Sequence, residues 1–165
     1  MTKQEQKLDR LVKLVREHAA AEAAGDIDAT MATVSRRPVY EFYPLGYRMT
    51  DWNTIKEYYR MSLIENQMLK GRVTVGPLSA SFGDKNSTPT EDIWWYGNDS
   101  LITRDDLWAT DDKNVERSMR FYAVFKLDGD LLLGETYFTT QFGADILRPI
   151  VSKCFDMLPG VSIIV

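Results

Sequence analysis

Residues 11–30 read "LVKLVREHAAAEAAGDIDAT". Leu8, Leu11, Val12 and Val15 recur at helical spacing, and the next position on their stripe is His18, the chain's only histidine. The same stretch carries its own stop and restart. Gly25 suits a left-handed C-terminal cap, so a first helix is predicted from Lys3 to Ala24. Asp26 then reads as the N-cap of a short second helix with Ile27, Met31 and Val34 on its apolar stripe. An imidazole on such a stripe is either a satisfied core group or the polar tip of a pocket, and both readings stay open at this point.

Working outward, Arg36, Arg37 and Pro38 close the second helix, because a residue before proline is pushed out of helical geometry. "VYEFYP" (39–44) is aromatic and β-branched, a strand pattern, and "LGYRM" (45–49) reads as a turn. Asp51 caps a third helix with Trp52, Ile55, Tyr59, Ser62 and Leu63 on one side. Within 71–90, "RVTV" and "LSASF" read as strand, and "GDKNSTPTED" is a loop by composition. A meander follows: "IWWY", "LITRDDLWA", "ERSMRFYAVFKL" and "LLLGETYFTT", separated by the turn compositions "GNDS", "TDDKN" and "DGD". "ADILRPIVSKCFDML" near the C-terminus has a helical pattern, against which Pro149 counts. Helices first and long strands afterwards predict an α+β fold, with three N-terminal helices on the concave face of a curved, mainly antiparallel sheet.

The bulk numbers set bounds. At 165 residues the chain is expected to form one domain, with a core over about 8–142 and an extension over 143–165. Net charge is −4 with 20 scattered basic residues, so no nucleic-acid partner is expected, phosphate binding requiring a basic stripe. No run of about 18 apolar residues exists, so no membrane partner is expected. The polar start "MTKQEQKLDR" and the single Cys154 point to a cytoplasmic location. One histidine and one cysteine give no common zinc set, and "DDKN" and "DGD" are turn chemistry, so neither a metal nor another cofactor is expected.

The element order, "AxxAGDxDA" over 21–29 and the meander ending "LLLGETYF" together resemble the nuclear-transport-factor-2-like superfamily, over roughly residues 8 to 142. Its SnoaL-like polyketide cyclase, ketosteroid isomerase and limonene epoxide hydrolase branches are the most similar. The resemblance implies a cone-shaped fold closing over a mostly apolar pocket. Ketosteroid isomerases carry an oxyanion-binding tyrosine seven residues before this glycine, and His18 has that spacing before Gly25. Their base would fall near Phe42 or Tyr43 and their second acid near Ala123, so the steroid mechanism does not carry over. Of the epoxide hydrolase set, Arg104 and Asp106 match an Arg-x-Asp pair and Tyr40 matches a tyrosine. Phe42 replaces an asparagine, and Thr136 stands where a second aspartate belongs, with Glu135 one place off and expected on the opposite face.

Alternation places Ile102, Arg104, Asp106 and Trp108 on one strand face, either as an interior charge pair or as a salt bridge toward Arg117 or Arg120. The candidate catalytic residues are therefore His18 (acid/base or hydrogen-bond donor), Asp106 (acid/base), Arg104 (its orienter) and Tyr40 (phenolic donor). Phe42, Trp52, Tyr59, Trp108, Met119, Phe121 and Thr136 are the candidate ligand-binding residues. The expected function is a cofactor-independent isomerase, cyclase, dehydratase or epoxide hydrolase acting on an apolar oxygenated small molecule of polyketide, terpenoid or steroid type. The alternatives are a non-catalytic binding module of the same fold and a protein-interaction domain. A homodimer is expected through the face bearing Ser118, Arg120, Tyr122, Val124 and Lys126, in part because the resembled family often pairs there.

Overall fold

Both ends of the first helix are built from its own sequence. Helix α1 spans Lys3–Ala24, Thr2 and Glu5 form a reciprocal capping box, and Gly25 closes it in the left-handed region at φ 68°. These details come from a computed structural model that describes residues 2–64, 73–74, 92–96, 100–110 and 115–164, with backbone alone at 23, 63–64, 73–74, 92–96, 105–110, 116, 118 and 119. Asp26 accepts from the Ala29 amide and starts α2, Ile27–Ala32. Strands β1 (Tyr40–Tyr43) and β2 (Tyr47–Met49) follow. Helix α3 (Trp52–Tyr59) is capped by Asp51 and runs into a π-helical turn over Arg60–Ile64.

The sheet is completed by β3 (Val73–Thr74), β4 (Asp92–Tyr96), β5 (Ser100–Thr110), β6 (Glu116–Asp128) and β7 (Leu131–Thr139). Helix α4 (Gln141–Met157) and β8 (Val161–Ile163) end the chain. The strand order is β3-β5-β6-β7-β1-β2-β8, with β4 also pairing β5. All pairings of these strands are antiparallel except β1 with β7. The α+β expectation is met, a mixed sheet with helices against it. Three N-terminal helices are present, and a fourth, α4, joins them.

Two local expectations need correction. "LGYRM" is more than a turn: its last three residues form β2, hydrogen-bonded between β1 and β8. Such a short strand is held by partners on both sides, which no local pattern reveals. Pro149 does not break α4. It is exposed, so the carbonyl one turn earlier, freed by the missing N–H, is left to solvent. "RVTV" contributes Val73–Thr74 to the sheet, and "LSASF" lies outside the described residues.

Buried side chains define the inner face. Leu11 and Val15 of α1 pack on Leu101, Ala123, Phe125 and Leu132. A second cluster joins Met31, Tyr40, Phe42, Ile55, Tyr58 and Tyr59 to Phe121 and to Leu147, Ile150 and Val151 of α4. Tyr137 packs against both clusters.

Strand β7 breaks the period of two. Lys126 pairs with Gly134 and Leu127 with Leu132, which leaves Leu133 as an extra residue. Leu132 and Glu135 are both buried as a result, although they are three residues apart. Gly134 makes the bulge possible with φ 146°, and a Cβ there would collide with the Val39 carbonyl oxygen. Gly134→Ala should therefore cost about 2–4 kcal/mol in urea unfolding. Gly129→Ala, at φ 65° with nothing within 4 Å, is the control and should cost about 1 kcal/mol.

Candidate functional site

The stripe of α1 that packs Leu11 and Val15 into the apolar cluster delivers His18 to its edge. The imidazole is 1% exposed and lies edge-on to Tyr59 and Phe125. Its Nδ1 is 2.6 Å from Thr33 Oγ1. The Thr33 hydroxyl donates its own proton to the Thr30 carbonyl, so it accepts from His18, and Nδ1 carries a hydrogen. On the other side, Nε2 is 2.8 Å from Glu135 Oε1 and 3.3 Å from Glu22 Oε1. Carboxylates only accept, so Nε2 carries a hydrogen too. With Glu135 and Glu22 ionised and the Tyr59 hydroxyl given to Glu135, both ring nitrogens carry hydrogen and the ring is an imidazolium.

The remaining hydrogen bonds fall into one direction. Tyr59 donates to Glu135 Oε1 at 2.8 Å, leaving its oxygen to accept from Tyr40 at 3.0 Å. The order is Tyr40 to Tyr59 to Glu135, with His18 entering the same carboxylate oxygen. Four elements hold these groups: α1, β1, α3 and β7.

Electrostatics agrees with the geometry. Burial opposes a charged His18, yet the Glu22 charge and the hydrogen bonds to Glu135 and Glu22 outweigh it, raising the pKa from 6.5 to about 10. Burial likewise opposes the Glu135 carboxylate, and the His18 hydrogen bond and charge, with help from Tyr137 and Tyr59, bring its pKa below the usual carboxylate range. Burial, then the Glu135 charge, keeps the Tyr40 and Tyr59 phenols protonated.

Of the sequence-predicted site residues, His18, Tyr40 and Tyr59 are brought together. Phe42 stacks on Tyr137 and meets Tyr58 edge-on, within the core beside the cluster. Phe121 is buried next to α4, and the Arg36 guanidinium covers the Trp52 ring at 3.8 Å. Thr136 faces away and donates to Glu41 Oε2 at 3.2 Å. Arg104 is not brought to the cluster. It alternates with the buried Leu101 and Thr103, is partly exposed, and pairs in register with Tyr122 on the face away from α1. The side chains of Asp106, Trp108 and Met119 lie outside the described residues, as do those of Trp94 and Trp95.

Glu135, Glu22 and Thr33 complete the cluster around His18, and sequence reasoning missed them. Alternation put Glu135 opposite Thr136's face and away from the pocket, and the bulge at Leu133–Gly134 reverses that assignment. A glycine directly before an acid inside an apolar strand was the available signal. For Glu22 it was the four-residue spacing from His18 on one helix. His18, Glu22 and Glu135 also form the group, among the described residues, whose donor atoms could hold a divalent ion, all lying within 4.8 Å of one another. Their 2.8 and 3.3 Å separations are those of hydrogen-bonded and ion-paired groups, which the protonated Nε2 explains.

This architecture is that of the NTF2-like fold. A structure of TerC co-crystallised with polyporic acid superposes with TM-score 0.58 at 10% identity, covering 84% of this chain and 98% of that one. A Xanthomonas campestris protein provisionally named a polyketide cyclase gives TM-score 0.58 at 11% identity, over 85% and 96% of the two chains. An NTF2-like protein of Burkholderia xenovorans gives TM-score 0.58 at 10% identity, over 86% and 95%. No protein-family model matches the chain, and no curated protein matches it. Among the described residues, no helix is long and apolar enough to cross a membrane.

The buried pair makes stability depend on pH with a defined sign. The raised His18 pKa contributes stability that is full below about 6.5, falls as pH rises, and is lost through about 10. The lowered Glu135 pKa contributes stability present above about 4.5 and lost as pH falls through its native value. Urea unfolding should show a plateau between these limits and an alkaline decline of up to about 1.4 kcal/mol per pH unit, which His18→Gln flattens. Glu135→Leu leaves the buried imidazolium with only the partly exposed Glu22 as counter-charge and should cost about 3–5 kcal/mol at pH 6.

Proposed function

We propose that this protein is a cofactor-independent acid–base enzyme acting on an apolar, oxygenated small molecule of polyketide, terpenoid or steroid type. The reaction class is isomerisation, cyclisation, dehydration or epoxide opening. The observation that carries the reading is the 2.8 Å pairing of the His18 imidazolium with the Glu135 carboxylate inside an otherwise apolar seam. A carboxylate there is a base, and an imidazolium is a donor to oxygen that gains negative charge. The Tyr40–Tyr59 pair supplies two further protonated hydroxyls. The fold neighbours add support: one was crystallised with polyporic acid and another bears a polyketide cyclase name. Dimer formation through the outer face of β6, where Tyr122 and Val124 are half-buried, belongs to the same proposal.

A specific observation favours one second reading, a binding module without turnover. Every cluster member already has an internal partner, and among the described residues the buried side-chain polar atom lacking one is Trp52 Nε1. A fully satisfied network can serve simply to order a core.

Turnover on a panel of apolar ketones, quinones and epoxides separates the two readings. An enzyme should lose about 10²- to 10⁴-fold in kcat with Glu135→Gln or His18→Gln, while substrate binding followed by fluorescence survives. Ligand binding without turnover by the wild type, or unchanged kcat in folded variants, would overturn the catalytic reading.

A further inference from the structure

A buried acid–base couple that works repeatedly must exchange its proton with solvent, and most of this cluster is closed to water. His18, Tyr40, Tyr59 and Glu135 are all buried, and the train through Tyr59 leads inward to Tyr40. Glu22 differs. Its side chain is 26% exposed while its Oε1 is 3.3 Å from His18 Nε2, one helical turn away on α1. Phe125 of β6, Thr33 after α2, Tyr59 of α3 and Glu135 of β7 occupy the other sides of the ring.

Resting on the acid–base reading above, we propose that Glu22 is the proton-exchange residue of the cluster, carrying the His18 Nε2 proton to solvent and returning it. The step balances as two proton transfers. The Nε2–H bond breaks as an O–H bond forms on Glu22, and that carboxyl then gives its proton to water; the reverse sequence restores the imidazolium. Glu22 touches the proton-carrying Nε2 and is the carboxylate of the cluster that also meets solvent; the half-buried Thr33 lies on the Nδ1 side, and its hydroxyl is already committed to the Thr30 carbonyl.

The rival role is purely electrostatic, and it predicts the opposite sign. If Glu22 only supplies negative charge, removing it loosens the hold on the proton and exchange speeds up. If Glu22 carries the proton, removing it slows exchange. Protein labelled with ¹⁵N-histidine reports this cleanly, because His18 is the only histidine. Solvent exchange of the Nε2–H and Nδ1–H would be measured by NMR in the wild type, Glu22→Gln and Glu22→Asp.

The expected result is Nε2–H exchange slowed about tenfold or more in Glu22→Gln, with the Thr33-bound Nδ1–H unchanged. Glu22→Asp, which keeps a carboxylate, should stay near wild type. Faster or unchanged Nε2–H exchange in Glu22→Gln would overturn the relay, as would equal acceleration of both N–H groups, which signals a loosened cluster. A wild-type spectrum with only one N–H would overturn the imidazolium–carboxylate couple itself, so the two failures are distinguishable.

Discussion

The ion pair between His18 and Glu135 is the constraint to which the rest of the structure answers. Two charges removed from water cost several kcal/mol each unless they meet each other and every remaining hydrogen-bonding site is filled. Here that condition draws on α1 for the imidazole, the Thr33 hydroxyl for its second N–H, and α3 and β1 for the tyrosines. The carboxylate comes from β7. Helices and sheet are thus tied at a polar point between two apolar clusters, where packing alone would tolerate small slides.

That pair exists because of a backbone irregularity. A regular β7 that buried Leu132 would turn Glu135 toward the outer face, where Thr136 now meets Glu41. The extra residue at Leu133 and the positive φ of Gly134 bring the carboxylate inside. Bulges often re-aim a single side chain at a functional position, and this one changes the chemistry of the whole interior. An apolar seam gains a carboxylate, an imidazolium and two phenols.

Much of the architecture was legible because local rules set it. Gly25, Asp26 and Asp51 announced helix ends through capping chemistry, and the meander strands declared themselves by composition and turns. His18 drew attention as a titratable group on an apolar stripe, and its burial follows from that stripe. Tyr40 and Tyr59 were legible as aromatic positions, but their mutual hydrogen bond was not, since β1 and α3 meet only in the folded chain. Arg104 shows the limit in the other direction. Alternation grouped it correctly with Ile102, and only the packing of α1 on Leu101 decided which face is inner.

What the sequence by itself determined, then, was the order of the three N-terminal helices and the meander strands, the caps, the class of fold and the one histidine on the inward stripe. These follow from periodicity and short-range hydrogen bonding, which act over a few residues. Tertiary structure alone decided that β2 and β8 join the sheet, that α4 tolerates Pro149 on an exposed face, and that Glu135 rather than Thr136 looks into the core. The physical reason is common to all three. Each depends on a partner far away in the chain: a strand that supplies hydrogen bonds, a solvent-facing side of a packed helix, or a neighbouring strand one residue shorter than its bulged partner.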